Sequence, residues 1–143
     1  MIVSNIAQAR DMIEKKALKL DTQARQLRDR AMAELIRLAK EEIQGKRGSH
    51  VGPRGGLVWD KAESGKPPMN RTGNLRKSIT AFPTHSGFAS YEAIVGPTMI
   101  YSRKVELGGA KWKPGTKFPY MQPAFEKFTS IRGGIVTEIY GGE

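Results

Sequence analysis

The sequence contains no cysteine and only two histidines, His50 and His85. Without cysteine there is no disulfide, no thiolate nucleophile and no cysteine-based zinc site. Both histidines lie in polar stretches with no cluster of Asp or Glu at metal-ligand spacing, so we predict neither a zinc site nor acid–base catalysis there. We therefore predict that the protein is not an enzyme and holds no metal or cofactor.

Long hydrophobic runs are also missing. A membrane-spanning helix needs about 20 consecutive apolar residues, and no such run occurs. The N-terminal stretch has no basic start followed by an apolar core, so we expect no secretory signal. Hydrophobic residues make up 38% of the 143 positions, which is low for a compact globule. This composition favours a single domain, residues 1–143, with either a flexible segment or surface that is buried only in an assembly.

Glycine is plentiful, but not in a phosphate-binding pattern. The two Gly-Lys pairs, at 45–46 and 65–66, are followed by Arg and Pro, where a nucleotide-binding P-loop has Ser or Thr. We therefore predict no nucleotide site.

Positive charge is in excess, with a formal net charge of +10. Residues 46–85 carry eight basic and two acidic residues, so most of the excess lies there. Such a segment around Trp59 suits a polyanion, and it is compatible with nonspecific contact to a nucleic-acid backbone. No helix-turn-helix, zinc-finger or RNP signature accompanies it, so we expect no sequence-specific recognition.

One long helix is predicted over residues 6–44. Asn5 or Ser4 is suited to cap it, and Gly45 is suited to end it. Apolar residues recur at helical spacing along one stripe, in which alanine alternates with larger residues. The stripe consists of Ile6, Ala9, Ile13, Ala17, Leu20, Ala24, Leu27, Ala31, Leu35 and Leu38. A helix of this length extends roughly 58 Å, so we expect the stripe to pack on the protein's own sheet, on a neighbouring subunit, or on both.

The middle of the chain predicts a flexible basic loop over residues 45–70. Residues 45–73 contain seven glycines and three prolines, and such a long excursion is usually functional or ordered only by a partner. A short hairpin is expected around the apolar residues 57–59. The remaining residues, 71–143, are predicted to form an α+β core. The predicted fold is thus a long N-terminal helix packed on a small antiparallel sheet, with a C-terminal helix and a long extended loop.

Within this core, two strands are predicted at 79–84 and 89–96, joined by a turn over HSGF (85–88). Pro83 indicates that the first strand lies at an edge or ends there.

Two helices are predicted after the strands. A short helix is predicted within MIYSRKVELGG (99–109), and Gly108 and Gly109 are expected to end it. The last begins near Met121, with Pro123 in its first turn, and is expected to be interrupted at Gly133–Gly134.

The phrase RTGNLRKSI (71–79) has two interpretations. It is either a basic, glycine-containing grip for phosphate or a structural joint between a loop, one helical turn and a strand. Thr72 is suited to cap the turn, Gly73 allows a tight entry, and Leu75 and Ile79 share one face four residues apart. These features favour the structural joint.

Three phrases, RTGNLRKSI, VGPTMIYSRKVELGG and KFPYMQPAFEKF, occur in this order over residues 71–128. Together they resemble a family of bacteriophage neck and tail-completion proteins. In that family a TG-x-L-x-x-S-I phrase precedes a hairpin, a V-G-P strand end leads into a Tyr-containing turn with Glu and Gly, and a Pro-x-x-x-Pro-Ala phrase opens the last helix. The family commonly has EfGT where this chain has ELGG (106–109), so the threonine is missing here. The residues that carry the resemblance are Arg71, Thr72, Gly73, Leu75, Ser78, Ile79, Gly96, Pro97, Tyr101, Glu106, Gly108, Pro119, Pro123 and Ala124.

The resemblance implies a virion structural protein of long-tailed phages, a tail terminator or a related neck-ring protein. The expected partners are further copies of the chain in a ring of six, neighbouring neck and tail-tube proteins, and DNA only in transit through the lumen. No membrane partner is expected. The protein would be located in the virion, and in the host cytoplasm during assembly. The alternative from another class is a nonspecific nucleic-acid-binding protein.

Five residues are candidates for contacts with a neighbouring subunit or partner: Arg47, Arg54, Trp59, Lys66 and Glu106. For Glu106 we expect an ion pair with an arginine of the adjacent subunit. The alternative for this residue is a solvated carboxylate at a helix end, which would contribute little.

Overall fold

The computed structural model of the chain describes residues 2–43, 49–59, 63–68 and 73–141, and among these the side chains of all but 2–4 and Trp59. The described part of the chain has mixed α+β structure, as predicted. Its elements are α1 (Ile2–Glu42), β1 (Ser49–Val51), β2 (Leu57–Trp59), α2 (Asn74–Ser78), β3 (Ile79–Gly87), β4 (Ser90–Pro97), α3 (Ser102–Leu107) and α4 (Met121–Tyr140).

The first helix, α1, is 41 residues long, which corresponds to roughly 60 Å. It begins four residues earlier than predicted, and the predicted stop at Gly45 lies outside the described residues. Ion pairs at helical spacing support it: Asp11 pairs with Lys15 at 2.9 Å, and Arg37 pairs with both Glu34 and Glu41. Each such exposed pair contributes little by itself, so the position of the C-terminal part of α1 depends mainly on its packing against the core.

The β3–β4 hairpin forms a two-stranded antiparallel sheet, with a register irregularity between Pro83 and His85. The turn predicted over residues 85–88 is wrong: β3 continues to Gly87, and the turn falls at Phe88 and Ala89. The irregularity after Pro83 offsets the pairing by one residue, and the Asp21 carboxylate of α1 accepts the Ala89 N–H at 2.7 Å.

A second, smaller hairpin lies in the glycine-rich segment. Strands β1 and β2 pair in antiparallel register, which confirms the hairpin expected around residues 57–59. Gly52 donates to the Gly56 carbonyl at 2.8 Å, and Gly55 donates to the Gly52 carbonyl at 2.9 Å. Gly55 has φ 75°, a left-handed conformation that glycine adopts without strain.

The last helix, α4, begins at Met121 as predicted, but the expected interruption at Gly133–Gly134 is wrong. The helix is continuous to Tyr140. It runs antiparallel to α1, because Lys127 pairs with Glu42 and Glu138 pairs with Arg30 further along. These contacts lie on both sides of the glycine pair, so α1 lies alongside both halves of α4.

The core is small and lies where α1 ends, α4 begins and β3 starts. Its buried residues are Leu38, Ala39, Ile43, Ile79, Tyr120 and Ala124, with Leu35, Ile36, Leu75, Val95, Val105, Met121 and Phe128 packed against them. The core therefore uses only the C-terminal end of the predicted stripe on α1.

Candidate functional site

The described part of the phrase RTGNLRKSI (71–79) connects α2 to β3 at the edge of the core. Gly73, with φ 80°, precedes α2 in a left-handed conformation, and Leu75 packs against the core. The Ser78 hydroxyl donates to the Leu75 carbonyl at 2.7 Å, and Ile79 is 2% exposed. Arg71 and Thr72 lie outside the described residues.

The phrase VGPTMIYSRKVELGG (95–109) begins in β4, where it pairs with the start of β3 at the end of the phrase RTGNLRKSI. Pro97 lies opposite Ile79, and Gly96 lies opposite Thr80. The backbone N–H of Thr98 donates to the Ser78 carbonyl at 3.2 Å. The end of β4 is thus fixed to the end of α2, which sets the direction in which the chain enters α3. Tyr101, at the start of α3, is 41% exposed.

Glu106 joins the second phrase to the third. Its carboxylate accepts three backbone N–H groups: Tyr120 at 2.7 Å, Met121 at 3.0 Å and Gln122 at 2.9 Å. These groups belong to the first turn of α4, where helical N–H groups have no partner within the helix. The N-terminus of a helix also carries partial positive charge, so a carboxylate stabilises it by charge as well as by hydrogen bonds.

This contact lies within one chain and was not expected from the sequence. The carboxylate is half-buried and hydrogen-bonded rather than solvated, and both its oxygens already have partners. The ion pair between Glu106 and an arginine of an adjacent subunit stays a prediction. In such a pair, the carboxylate oxygens would also keep their bonds to the N–H groups at the start of α4.

Gly108 allows the chain to turn back after α3. Its φ is 98°, and a Cβ there would lie 2.8 Å from the Thr116 carbonyl oxygen. The Phe118 N–H donates to the Val105 carbonyl at 2.7 Å. This close return brings Pro119 and Tyr120 beside Glu106, so the ELGG phrase and the start of α4 form one unit.

The phrase KFPYMQPAFEKF (117–128) contributes buried side chains to the unit formed by α3, the following loop and the start of α4. Tyr120 and Ala124 are fully buried, and Pro123 lies in the first turn of α4, where its missing N–H costs no hydrogen bond. Burial raises the pKa of the Tyr120 phenol well above its ordinary value, and the nearby Glu106 acts in the same direction. Ser102 is the polar group that counteracts this shift, but the Tyr120 hydroxyl has no well-formed hydrogen bond among the described residues.

The basic segment is only partly described. Arg54 is exposed at the turn of the β1–β2 hairpin, and Lys66 pairs with Glu63. Gly65 donates to the Lys117 carbonyl at 2.7 Å, so this part of the segment lies against the loop before α4. Arg47 lies outside the described residues, and nothing is described of the Trp59 side chain.

A second polar cluster was not predicted from the sequence. The Asp21 carboxylate accepts the Tyr91 hydroxyl at 2.7 Å, besides the Ala89 N–H, and these bonds hold its pKa below the ordinary value. The Arg28 guanidinium lies 5.0 Å from the centre of the Tyr91 ring, within the range of a cation–π contact. The cluster fixes the tip of the β3–β4 hairpin to the middle of α1.

The N-terminal end of α1 extends beyond the described residues that cover the rest of the helix. The hairpin tip reaches Asp21, and Gln23 donates to the carbonyl of Ile139 near the end of α4. Before this level, every described side chain from residue 5 is exposed except Ala17, which is half-buried. We call residues 2–20 the arm; it is roughly 28 Å long.

The arm keeps the apolar stripe although nothing described covers it. Ile6, Ile13 and Leu20 are 57%, 67% and 53% exposed. The same stripe, further along α1, packs on β4 and α4. The structure therefore leaves about half of the stripe available for a contact outside this copy of the chain.

The part of the chain that the structure describes contains no group of three or more His, Asp or Glu side chains that could hold a metal ion. None of its helices is both long enough and apolar enough to cross a membrane. A cavity of about 410 Å³ lies between α1, β4 and α4, with a mainly apolar lining that includes Leu27, Tyr91 and Phe128.

Comparison with known proteins finds no match: no family model, no curated protein and no solved structure is similar to the chain. The resemblance to neck and tail-completion proteins therefore rests on the three phrases and their order alone.

Proposed function

We propose that the protein is a virion structural subunit of a long-tailed bacteriophage. In this proposal six copies form a ring at the head–tail junction or the tail end, where the protein acts as a tail terminator, tail-completion or head–tail joining protein. DNA passes through the lumen of the ring, and the protein performs no chemical reaction.

The observation that carries the proposal is the uncovered stripe on the arm. Contiguous exposed apolar surface on a helix is unfavourable in a monomer and usually marks a contact with another protein. A stripe that is buried at one end of a helix and exposed at the other supports burial between copies. Head-to-tail contacts of this kind repeat around a closed ring.

The arrangement around Glu106 supports the same proposal from the rigid part of the molecule. All copies of a ring must present their surfaces at the same angles. The Glu106 carboxylate and the turn at Gly108 tie α3, the following loop and α4 together, so their relative orientation depends little on flexible side chains.

A reconstruction of the phage particle that encodes this chain tests the proposal. We expect density for the chain as a closed ring of six around the DNA path. The absence of the chain from the particle, or its presence as isolated copies, would overturn the proposal.

A further inference from the structure

The outer face of the β3–β4 hairpin carries an apolar pair that the described chain leaves open. Phe82 and Ile94 lie directly opposite each other in the register and are 52% and 62% exposed. Residues opposite each other in an antiparallel pair share a face. Val95, the next residue of β4, lies on the other face and packs against the core. The hairpin is therefore covered by α1 on one side only.

The arm has the dimensions to cover this open face. It extends roughly 28 Å at 1.5 Å per residue, and the eight residues of β4 extend roughly 27 Å at about 3.4 Å per residue. A helix on each side of a sheet is a common layered arrangement, and it suits a sheet that carries apolar side chains on both faces, as this hairpin does at Phe82 and Ile94 on one face and Val95 on the other.

Charges beside the two apolar surfaces are complementary. Arg10 and Lys16 stand three residues before and after Ile13, so they lie on either side of the stripe, about 60° away around the helix. Neither forms an ion pair within the described part of its own chain. Glu92 lies two residues before Ile94 on β4, so it is on the same outer face, and it is exposed. Like the two cations, it forms no ion pair within the described part of its own chain.

We infer that the arm of one copy packs on the outer face of the β3–β4 hairpin of the next copy. Ile13 lies against Phe82 and Ile94, and an arm cation lies beside Glu92. The two surfaces are different patches of the same chain, so the contact is head-to-tail and each copy both gives and receives an arm. Only the closure of such contacts into a ring rests on the proposed function.

The size of this contact predicts how assembly proceeds. One helix face against one hairpin face lies toward the low end of specific interfaces, below about 1,200 Å² in total. A single pair is therefore weak, and stable assembly requires that the contacts close on themselves.

Cysteine cross-linking tests the inference, because the chain has no cysteine of its own. Two variants, Ile13→Cys and Ile94→Cys, are purified separately, mixed and oxidised with oxidised glutathione. We expect disulfide-linked dimers in the mixture and little cross-linking in either variant alone. The double variant should give a ladder of linked species up to the full ring.

Matched controls decide between the possible outcomes. Lys15→Cys lies on the opposite side of the arm, and a mixture with Ile94→Cys should stay uncross-linked. Efficient linking of Ile13→Cys to itself would show an arm-to-arm contact and overturn the inference. Rings that form, by native mass measurement, without the mixed cross-link would overturn the inference but leave the proposed function standing. A chain that stays monomeric at all concentrations would contradict both.

The arm also allows a test that leaves the fold intact. Ile13→Asp introduces a charge into the stripe at a position exposed in the single copy. We expect assembly to fall at least tenfold in apparent affinity while the melting temperature of the subunit is unchanged. Unaltered assembly of Ile13→Asp would overturn the inference.

Discussion

At the scale of single residues, Glu106 makes contacts that determine how the second half of the chain is arranged. One carboxylate satisfies three backbone N–H groups that α4 cannot satisfy itself. Because the contact joins residues 14 to 16 positions apart, it fixes the loop between α3 and α4 as well as the start of the helix.

We predict that Glu106→Ala lowers the free energy of unfolding of the subunit by about 2 kcal/mol, since a lost helix cap costs up to about 2 kcal/mol and bonds to charged groups exceed neutral ones. Glu106→Gln keeps one oxygen acceptor and should lose about half as much. Urea denaturation measures both. The control is Glu126→Gln, an exposed carboxylate on α4, and losses no larger than in this control would refute the capping role.

The contacts of Asp21 make the free energy of unfolding of the subunit depend on pH. The Ala89 N–H and the Tyr91 hydroxyl favour its ionised form and lower its pKa in the folded state from the ordinary value of 3.8. The unfolded chain therefore binds the proton first as the pH falls. The stabilising contribution is fully present above the ordinary pKa and is lost as the pH drops through the folded-state pKa.

Asp21→Asn should accordingly lower the melting temperature at pH 7, and the difference from the unmodified protein should shrink below about pH 4. Melting curves between pH 3 and pH 7 measure this, with Asp11→Asn on the exposed arm as the control. A difference that stays constant over this pH range would show that the Asp21 carboxylate contributes nothing by its charge.

At the scale of elements, the two long helices show different consequences of packing. α4 continues through Gly133 and Gly134 because α1 supports it on both sides of the pair. α1 extends for about 20 residues toward its N-terminus beyond the described residues that pack on it, where helix propensity is the main local term that favours the helix.

The glycine pair gives a direct test at this scale. A Cβ at Gly133 or Gly134 would meet nothing within 4 Å, and alanine is favoured over glycine inside a helix by about 0.5–1 kcal/mol per site. We predict that the double variant Gly133→Ala/Gly134→Ala raises the free energy of unfolding by about 1–2 kcal/mol in urea titrations. A fall in stability would mean that the uninterrupted α4 is not the native form.

The sequence predicted those elements whose signals are local. The helix α1, the start of α4 beside Pro123 and the hairpin at residues 57–59 all depend on spacing and turn residues, and all were confirmed. The turn at Phe88–Ala89 was missed because the register irregularity after Pro83 and the contact with Asp21, 68 residues away, leave no local signal. The Glu106 contact was missed for the same reason, since a side chain that caps a distant helix leaves no periodic pattern. Local propensity predicts an interruption at Gly133–Gly134, and packing on α1 overrides it.

At the scale of the whole molecule, the excess of positive charge must be compatible with the lumen of the proposed ring, through which DNA would pass. Each phosphate contact steepens the salt dependence of binding, and a bore with many such contacts would hold DNA during ejection. We expect Arg47, Arg54 and Lys66 to lie mainly at contacts with acidic partner proteins.

Replacing Arg47, Arg54 and Lys66 together with glutamine should weaken the joining of tails to heads, which an in vitro assembly assay measures. The free, unmodified subunit should bind duplex DNA only weakly and lose that binding at moderate salt. The control is a second triple variant with the same change in charge, in which glutamine replaces Arg76, Lys77 and Arg132. Tight DNA binding at physiological salt that the first triple change abolishes would favour the nucleic-acid-binding alternative.

The most direct test of the ring is a native mass measurement on the purified, nuclease-treated chain. The proposed function predicts a closed species of six times the 15.8 kDa of one chain, formed without nucleic acid and dependent on protein concentration. A species of 15.8 kDa that becomes larger only when DNA or RNA is added would contradict it.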